Sequence, residues 1–251
     1  MRSENYNSLD KITSLYFIKV DALFRTIAFQ NIAISHAIEE VNPNLYSAYK
    51  SLESFLEEYS PEVSDKGIRH DLVAKHMPSL CFSSLVSAFE DYIIEITKLT
   101  FKLKPENLDK IKCDYGTYRT LSEEDLFDYL VAEGVSSLTF GSAKEYINKF
   151  CKTACIDKKQ IEPLLKQYIE IKARRDTGVH NNWIMDARYE KKLAEVGITP
   201  EKNIYLTPDF DYFRYSYYLC GKLVKLISNN IATQLLNEPV LFDIEPSATN
   251  E

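Results

Sequence analysis

The stretch SLCFSSLVSAFEDYIIEITKLTFKLK, residues 79–104, decides the fold class. Its large apolar residues recur at alternating intervals of four and three, the spacing of one face of an α-helix; they are Leu85, Phe89, Tyr92, Ile96, Leu99 and Leu103. Pro105 ends the pattern, because proline cannot continue a helix without losing a hydrogen bond. A continuous apolar seam of this kind packs against other helices, so we expect this helix to form the core of an all-α protein.

Helices of the same kind are predicted on both sides of this stretch. Upstream they span residues 9–40 and 45–59. Downstream, start signals mark four further helices: the pairs Ser122/Asp125 and Ser142/Glu145, Pro163 in a first turn, and Thr207-Pro208-Asp209 before the last helix. Gly134 is predicted to end the helix after Ser122, and residues 203–206 are expected to form a short extended piece.

The charge of the chain is acidic overall but uneven. The formal net charge is −7 and the pI is about 5.3, which argues against broad, nonspecific binding of nucleic acid. Residues 144–175 carry nine bases against four acids, a local excess of +5. Such a segment is either an ordinary solvated helix face or a surface that attracts a polyanion.

The bulk composition predicts a cytoplasmic protein without a membrane segment. At 251 residues and 45% hydrophobic content, the chain can form one large domain or two small ones. The early apolar run, residues 15–18, is interrupted by Lys19 and Asp21, so no targeting or spanning segment is expected. Five scattered cysteines favour buried free thiols over a metal site, and neither a metal nor a cofactor is expected.

A short run holds the candidate chemistry: Arg174, Arg175 and His180 lie near the predicted end of a helix. Metal-free cleavage of RNA needs a group that transfers protons near neutral pH and cations that hold the phosphate. His180 suits the first task, and Arg175 or Arg174 suits the second. Arg175 and His180 are five residues apart, about 140° around an ideal helix. They converge only if the helix ends or bends between them, and Gly178 is predicted to supply that break.

One imidazole cannot easily act as both base and acid, which a symmetric dimer that joins two motifs would solve. The spacing itself is not specific, since Arg69 and His76 also match it. The surroundings are more specific. The run from Ile171 to Asn182, its continuation through Tyr189, the short residues 204–206 and the capped last helix together resemble the signature of the HEPN superfamily. The sequence Ala88-Phe89-Glu90-Asp91-Tyr92 looks like the first core helix of that family.

The resemblance covers residues 79–237 and implies a HEPN-like antiparallel helical bundle. In this division residues 61–238 form the bundle, residues 105–157 an insertion, residues 1–60 an N-terminal helical extension, and residues 239–251 a flexible tail. The family resemblance also implies a homodimer and a metal-independent endoribonuclease that cleaves RNA through attack of the 2′-OH. Arg175 and His180 would be the catalytic residues. The residues expected to bind substrate or support the site are Lys172, Arg174, Asp176 and Asn181.

The resemblance further implies a biological setting. Related domains often belong to toxin–antitoxin, abortive-infection and other antiviral systems, so a defence role is expected, with an antitoxin, a helicase or another NTPase as the kind of partner protein. Asp176 stands where the family most often has asparagine. This residue and the acidic composition favour an alternative, a non-catalytic HEPN-like module that binds nucleotides or scaffolds a defence complex. A second alternative is a plain helical interaction protein whose N-terminal helices dock a partner. His180 itself could simply cap or pack a helix end.

Three further features have two interpretations each. Glu90 is either a carboxylate that orients the site or, the favoured interpretation, an exposed helix acid. Trp183 is either a platform for base stacking or a core or interface residue. The aromatic residues between 212 and 218 invite a nucleic-acid interpretation, but their helical spacing favours packing or a dimer face.

Overall fold

The computed structural model describes residues 3–39, 76–139, 143–200 and 204–243. Within these ranges lie eight α-helices and a 3-10 helix, Pro105–Leu108; the α-helices are α1 Glu4–Glu39, α2 Met77–Leu103, α3 Tyr115–Thr120, α4 Glu123–Thr139, α5 Ala143–Thr153, α6 Lys158–Asn181, α7 Ala187–Ala194 and α8 Phe210–Gln234. The prediction of an all-α protein is confirmed for the described ranges. An antiparallel bridge joins Ile184 to Tyr205, within the piece predicted to be extended. No helix in this part of the chain is long and apolar enough to cross a bilayer.

Helix α2 is the centre of the fold because it is buried around most of its circumference. The predicted seam is confirmed: five of its six residues are buried, and Leu103 is half-buried. Phe82, Val86 and Ile93 lie outside the seam and are buried as well. α2 contacts α1, α4, α5, α6 and α8. It is therefore the scaffold on which α6, the helix of the predicted motif, is mounted.

A buried polar contact ties α1, α2 and α8 together. The hydroxyl of Ser228 lies 2.7 Å from the hydroxyl of Tyr92 and 2.9 Å from that of Thr13. Tyr92 also donates to the carbonyl of Val224 at 3.2 Å. Buried polar groups are costly unless they are hydrogen-bonded, so this contact favours one register of the three central helices.

Helix α1 shares the main core with α2 and α8. Its buried apolar residues are Tyr6, Leu9, Tyr16, Val20 and Ile27, and all belong to the same apolar cluster as the seam of α2. The predicted N-terminal extension, residues 1–60, is in its described part an integral core element. The predicted helix 45–59, the predicted boundary near residue 60 and Arg69 lie outside the described residues.

The segment predicted as an insertion, residues 105–157, builds a smaller core against one side of α2. This core contains Phe101, Leu108, Val131 and Val135. Ser122 caps α4 as predicted, because its Oγ accepts a hydrogen bond from the Asp125 N–H at 3.2 Å. The Asp125 carboxylate accepts from the Ser122 hydroxyl at 2.6 Å, which differs from the backbone contact of a full capping box. The prediction that Gly134 ends α4 is wrong, since α4 continues to Thr139. A Cβ at Gly134 would lie 2.9 Å from the Phe101 ring, so this glycine allows α4 to approach α2 closely.

Helix α6 begins earlier than the sequence predicts. Asp157 caps it with a carboxylate that accepts a hydrogen bond from the Lys159 N–H at 3.0 Å. Pro163 therefore lies inside the helix and not in its first turn. The aspartate satisfies one of the free N–H groups of a helix start, which proline at the first turn cannot do. Ser142, predicted to cap α5, lies outside the described residues.

The start of α8 and the segment that follows the helix also differ from the sequence prediction. Its cap is Asp209, whose carboxylate accepts from the Tyr212 N–H at 2.8 Å, so the proline before it precedes the helix. Residues 239–243, predicted as the start of a flexible tail, are held against α8 instead. The Asn229 side chain accepts from the Leu241 N–H at 2.9 Å and donates to the Phe242 carbonyl at 2.8 Å.

The cysteines are free thiols, as predicted, but not all are buried. The three buried ones are Cys81, Cys151 and Cys220. Burial raises the pKa of the Cys151 thiol to about 11. Cys113 is half-buried, and Cys155 is exposed at the turn after α5, where its sulfur accepts a hydrogen bond from Lys104 Nζ at 3.0 Å.

Candidate functional site

Helix α6 runs without interruption through the predicted motif. It continues to Asn181 and ends at Asn182, which adopts a left-handed backbone conformation with φ 50° and ψ 41°. The predicted break at Gly178 is therefore wrong. The helix instead ends one turn later, where asparagine tolerates the left-handed conformation better than most side chains.

Gly178 serves a close contact with Trp183, which folds back over the end of α6. A Cβ at Gly178 would lie 2.5 Å from the Trp183 ring. Trp183 itself has a φ of +64°, is half-buried, and packs beside Phe82 of α2 with 5.9 Å between ring centroids. This packing supports the interpretation of Trp183 as a core residue. The absence of a side chain at residue 178 is what lets the indole lie on the helix.

Arg175 and His180 point in different directions on α6. Because the helix is continuous, five residues separate them by about 140° around its axis. The expectation that they converge within one chain is therefore wrong. The Arg175 side chain is half-buried, with 19% of its surface exposed, whereas His180 is exposed. Among the described residues, no hydrogen bond or ion pair to the His180 side chain is observed, which leaves the imidazole accessible to a ligand or a second molecule.

Two helices hold the Arg175 guanidinium in place. Glu90 of α2 accepts hydrogen bonds from Arg175 Nη2 and from Lys172 Nζ, which lies on α6 almost one turn earlier. Arg175 Nε lies 3.5 Å from a carboxylate oxygen of Asp176. This Nε–H is buried and makes no hydrogen bond within the described part of the chain. The guanidinium is thus fixed through Nη2, whereas its Nε–H is a buried donor without a hydrogen-bond acceptor among the described residues.

Glu90 is not the exposed helix acid that the sequence favours. Its side chain is 27% exposed and forms ion pairs with both Lys172 and Arg175. The physical reason is the packing of α2 against α6, which turns this carboxylate toward two cations. A half-buried carboxylate that binds two cations from one helix orients both of them, which was the alternative interpretation.

Asp176 connects α6 to α7. One of its oxygens accepts a hydrogen bond from Lys192 Nζ at 2.9 Å, and the other lies near Arg175. The local cluster contains three cations, Lys172, Arg175 and Lys192, and two carboxylates, Glu90 and Asp176, so its formal charge is 3 − 2 = +1. A site of small positive charge can attract a phosphate without wide attraction to any polyanion.

Arg174 is committed to the interior and is not available to hold a phosphate. Its side chain is 6% exposed, and Nε donates to Glu170 at 2.8 Å. The guanidinium carbon lies 4.0 Å from the centre of the Tyr212 ring. Glu170 also accepts hydrogen bonds from the hydroxyls of Tyr189 and Tyr212. Arg174 therefore supports the site by joining α6 to α7 and α8.

The ionisation of this buried cluster is strongly perturbed. Burial, and then the charge of Glu170, hold the pKa of Tyr212 well above its usual value. The same two causes raise the pKa of Tyr189. Both phenols therefore stay protonated and donate to Glu170 at ordinary pH. The packing predicted for Tyr212 is confirmed by its contacts with Arg174, Glu170 and Phe82, whereas Tyr215 and Tyr218 are exposed.

The remaining predicted residue, Asn181, closes the turn after α6. Its side-chain amide donates to the carbonyl of Ile184 at 2.8 Å. This is a supporting role, because the contact fixes the turn that follows His180. Sequence reasoning did not include Lys192 and Arg188 of α7 among the site residues. Three bases on an eight-residue amphipathic helix directly after the motif are the signal that could have found them; they are Arg188, Lys191 and Lys192.

Three grooves of the described surface lie away from this cluster. One groove of about 450 Å³ runs between α1 and α2 and is lined by residues that include Lys19, Ser83, Ser87 and Asp91. None of the predicted site residues lines it. Of the two candidate catalytic side chains, Arg175 is half-buried and His180 is exposed at the end of α6. Among the described residues, no group of three or more His, Cys, Asp or Glu side chains could hold a metal ion.

No family model, curated protein or solved structure matches this chain.

Proposed function

We propose that this protein is a metal-independent endoribonuclease of HEPN type that acts in the cytoplasm as a homodimer. The observation that carries the proposal is the pairing on α6 of a fixed guanidinium with an exposed imidazole. Glu90 and Asp176 hold Arg175. His180 is exposed near the end of the same helix and has no partner among the described residues. One group is suited to bind a phosphate and the other to transfer protons.

In the proposed reaction the neutral imidazole of His180 takes the proton of the 2′-OH. The 2′-oxygen attacks the adjacent phosphorus, the bond to the 5′-oxygen breaks, and that oxygen takes a proton from an acid. The products are a 2′,3′-cyclic phosphate and a 5′-hydroxyl. Arg175 stabilises the negative charge that builds on the phosphoryl oxygens in the transition state.

A second copy of the chain supplies the acid in this proposal. One His180 acts as base, and His180 of the partner subunit, in its protonated form, acts as acid. The surface near His180 supports such an interface, because it exposes four large apolar side chains: Val179 (59%), Ile184 (40%), Ile204 (62%) and Tyr205 (66%). Exposed apolar groups that lie together on a surface are typical of protein–protein contacts.

Val179 lies in the last turn of α6, and the other three residues lie at the bridge that follows the helix. Ile184 pairs with Tyr205 across the antiparallel bridge, and its N–H donates to the Asn181 carbonyl at 2.9 Å. Val179 directly precedes His180 on the helix. A two-fold contact centred on this patch would bring two His180 side chains together and so supply both the base and the acid.

The test is cleavage of tRNA and mRNA by the purified protein in the presence of EDTA. We expect cleavage with 2′,3′-cyclic phosphate ends, identified by mass spectrometry, and its loss in His180→Ala and Arg175→Ala. His76→Ala is a matched control, since His76 is exposed at the start of α2 and its side chain makes no capping bond. Activity of His180→Ala equal to that of the wild type contradicts the proposal.

A mixing experiment tests the two-subunit site. Inactive His180→Ala and inactive Arg175→Ala proteins are combined and allowed to exchange subunits. If each reaction needs two histidines, the mixture stays inactive, whereas a site that joins Arg175 of one subunit to a single His180 of the other subunit recovers part of the activity. Val179→Asp should give monomers in sedimentation and abolish cleavage. Dimers of that variant contradict the proposed interface.

One observation favours a second candidate function, a non-catalytic HEPN-like module that binds nucleotides or scaffolds a complex. The Arg175 guanidinium already has two carboxylate neighbours, Glu90 and Asp176, which compete with a phosphate. This candidate predicts no RNA cleavage in EDTA or in magnesium, together with an intact dimer.

For the proposed defence or toxin–antitoxin role, the chain should arrest growth when it is expressed alone in a bacterial host. His180→Ala should relieve the arrest, and normal growth with active wild-type enzyme contradicts that role.

A further inference from the structure

Helix α7 carries three bases that lie on one side of it. Successive residues of a helix are about 100° apart around its axis. Arg188 therefore lies about 100° from the buried Tyr189, and Lys192 lies about 100° from the buried Leu193 in the same direction. Lys191 points almost directly away from the two buried residues. The three cations therefore span an arc of about 100°, which we call the α7 basic face (Arg188, Lys191 and Lys192).

The acids of α7 lie elsewhere. Glu190 falls on the opposite flank of the helix by the same angular count, and Asp186 is engaged as the helix cap, where it accepts from the Tyr189 N–H at 2.8 Å. Glu195, just past the helix end, falls by the same count on the side of the bases, but no ion pair between it and Arg188 or Lys191 is observed within the described residues. Arg188 and Lys191 are exposed, and neither has an ion pair within the described residues. Two exposed cations without an ion pair therefore face the solvent together.

The α7 basic face leads to the candidate site. Lys192 is bound to Asp176, which lies beside Arg175. Arg188 is four residues before Lys192 on α7, and His180 is four residues after Asp176 on α6. Arg188 is thus one turn closer than Lys192, and His180 one turn closer than Asp176, to the segment that connects α6 and α7. Arg188 and His180 therefore lie at the same end of the α6–α7 pair.

We propose that the α7 basic face binds the phosphate backbone of single-stranded RNA next to the phosphate held at Arg175, and so positions the strand over His180. This inference rests on the proposed ribonuclease function, because it assigns the substrate surface of that site. Exposed, unpaired cations bind phosphates with little sequence preference and release counterions when they do so. A row of them along one helix suits a polymer with regularly spaced charges better than an isolated anion.

The experiment measures binding apart from cleavage. The probe is a fluorescein-labelled, fully 2′-O-methylated single-stranded RNA, which has no 2′-OH and is not cleaved. Fluorescence anisotropy gives the association constant of the full-length protein between 50 and 300 mM NaCl. The slope of log K against log[NaCl] reports the number of phosphate contacts, about 0.7 for each contact with a single strand.

We expect Arg188→Ala/Lys191→Ala to reduce the slope by about 1.4 and the affinity at 100 mM NaCl by about 10- to 30-fold. The control is Lys11→Ala/Lys222→Ala, which removes two exposed cations of α1 and α8 and changes the net charge equally. This control should bind as the wild type does. The swapped variant Arg188→Lys/Lys191→Arg keeps both charges and should keep the slope. Circular dichroism melting verifies that each variant is folded.

Three results overturn the inference: a wild-type slope in Arg188→Ala/Lys191→Ala, an equal loss in the control, or no binding of the probe by the wild type. Binding of a polyglutamate peptide in place of RNA, lost in the same variant, assigns the surface to an acidic protein partner and also overturns it. Wild-type protein that binds the probe through α7 and yet does not cleave unmodified RNA supports the inference and contradicts the ribonuclease proposal alone.

Discussion

Lys192 of α7 donates a hydrogen bond to Asp176 of α6, with 2.9 Å between Nζ and Oδ2. The other oxygen of the same carboxylate lies 3.5 Å from Arg175 Nε. Asp176 is therefore shared between a lysine that tethers α7 and the arginine that is the candidate phosphate ligand. Its negative charge stabilises the helix pair and reduces the positive potential at Arg175, two effects that substitution can separate.

Asp176→Asn should increase RNA cleavage. The amide oxygen still accepts a hydrogen bond from Lys192, but the charge that competes with phosphate for Arg175 is gone. We expect an increase in kcat/KM of about three- to tenfold, equivalent to roughly 1 kcal/mol. Asp21→Asn, which removes an exposed carboxylate paired with Arg25, should leave the rate unchanged. A slower Asp176→Asn enzyme would mean that the carboxylate orients Arg175 productively.

Glu90→Gln should lower kcat by about 10- to 100-fold, because positioning contributions of this size are common when a catalytic group loses its fixed geometry. Without the carboxylate, Lys172 and Arg175 repel each other and the guanidinium is no longer fixed. The matched control is Glu95→Gln on the same helix, which loses only an exposed ion pair with Lys98. Single-turnover kinetics on a labelled RNA would measure both. Full activity of Glu90→Gln contradicts the positioning role.

Gly178→Ala should destabilise the protein by about 1–3 kcal/mol. Alanine is the better helix former by about 1 kcal/mol, but its Cβ would lie 2.5 Å from the Trp183 ring. The control is Gly221→Ala in α8, where a Cβ would meet Phe17 at an ordinary 3.7 Å, so this variant should be neutral or slightly stabilised. Urea unfolding followed by circular dichroism gives both values. Equal effects of the two substitutions would rule out the steric explanation.

The stability of the protein should fall at alkaline pH. Burial raises the pKa of Cys151 from 9.0 to about 11, so between these values the unfolded chain has lost a proton that the native chain keeps. The free energy of unfolding then decreases as pH rises. The contribution of Cys151 is complete below pH 9 and lost as pH rises through about 11, at a cost of about 2–3 kcal/mol.

Urea unfolding at pH 8 and pH 10.5 measures this loss. Cys151→Ala should show a smaller decrease than the wild type, and Cys113→Ala, at a half-exposed position, should behave as the wild type does. The buried tyrosines contribute equally to all three proteins. The same decrease in Cys151→Ala and in the wild type would exclude Cys151 as a cause.

The helical architecture could be predicted from the sequence because apolar periodicity extends over many residues. In α2 six apolar positions define the pattern, and the predicted bounds of the helix, residues 79–104, lie within two residues of the observed ones. Single-residue stop signals were less informative. Gly134 and Gly178 both lie inside helices. At each of them the missing side chain leaves room for an aromatic ring, Phe101 at Gly134 and Trp183 at Gly178. A local pattern cannot reveal that a ring from elsewhere in the chain needs that space.

The candidate site shows the same limit. The local run located Arg175 and His180, but the contacts that define the state of Arg175 come from far along the chain. Glu90 is 85 residues away, and Lys192 reaches Asp176 over 16 residues. The sequence also could not show that Arg174, adjacent to Arg175, faces the interior, since that follows from how α8 packs on α6.

Glu170 has a consequence for regulation. Because its carboxylate binds Arg174 of α6, Tyr189 of α7 and Tyr212 of α8, these three helices should move as one block. Any on–off control of the surface at His180 would then have to come from what covers or releases that surface, such as a partner or the second subunit, and not from a hinge within the folded chain. Inhibition should accordingly be competitive with RNA.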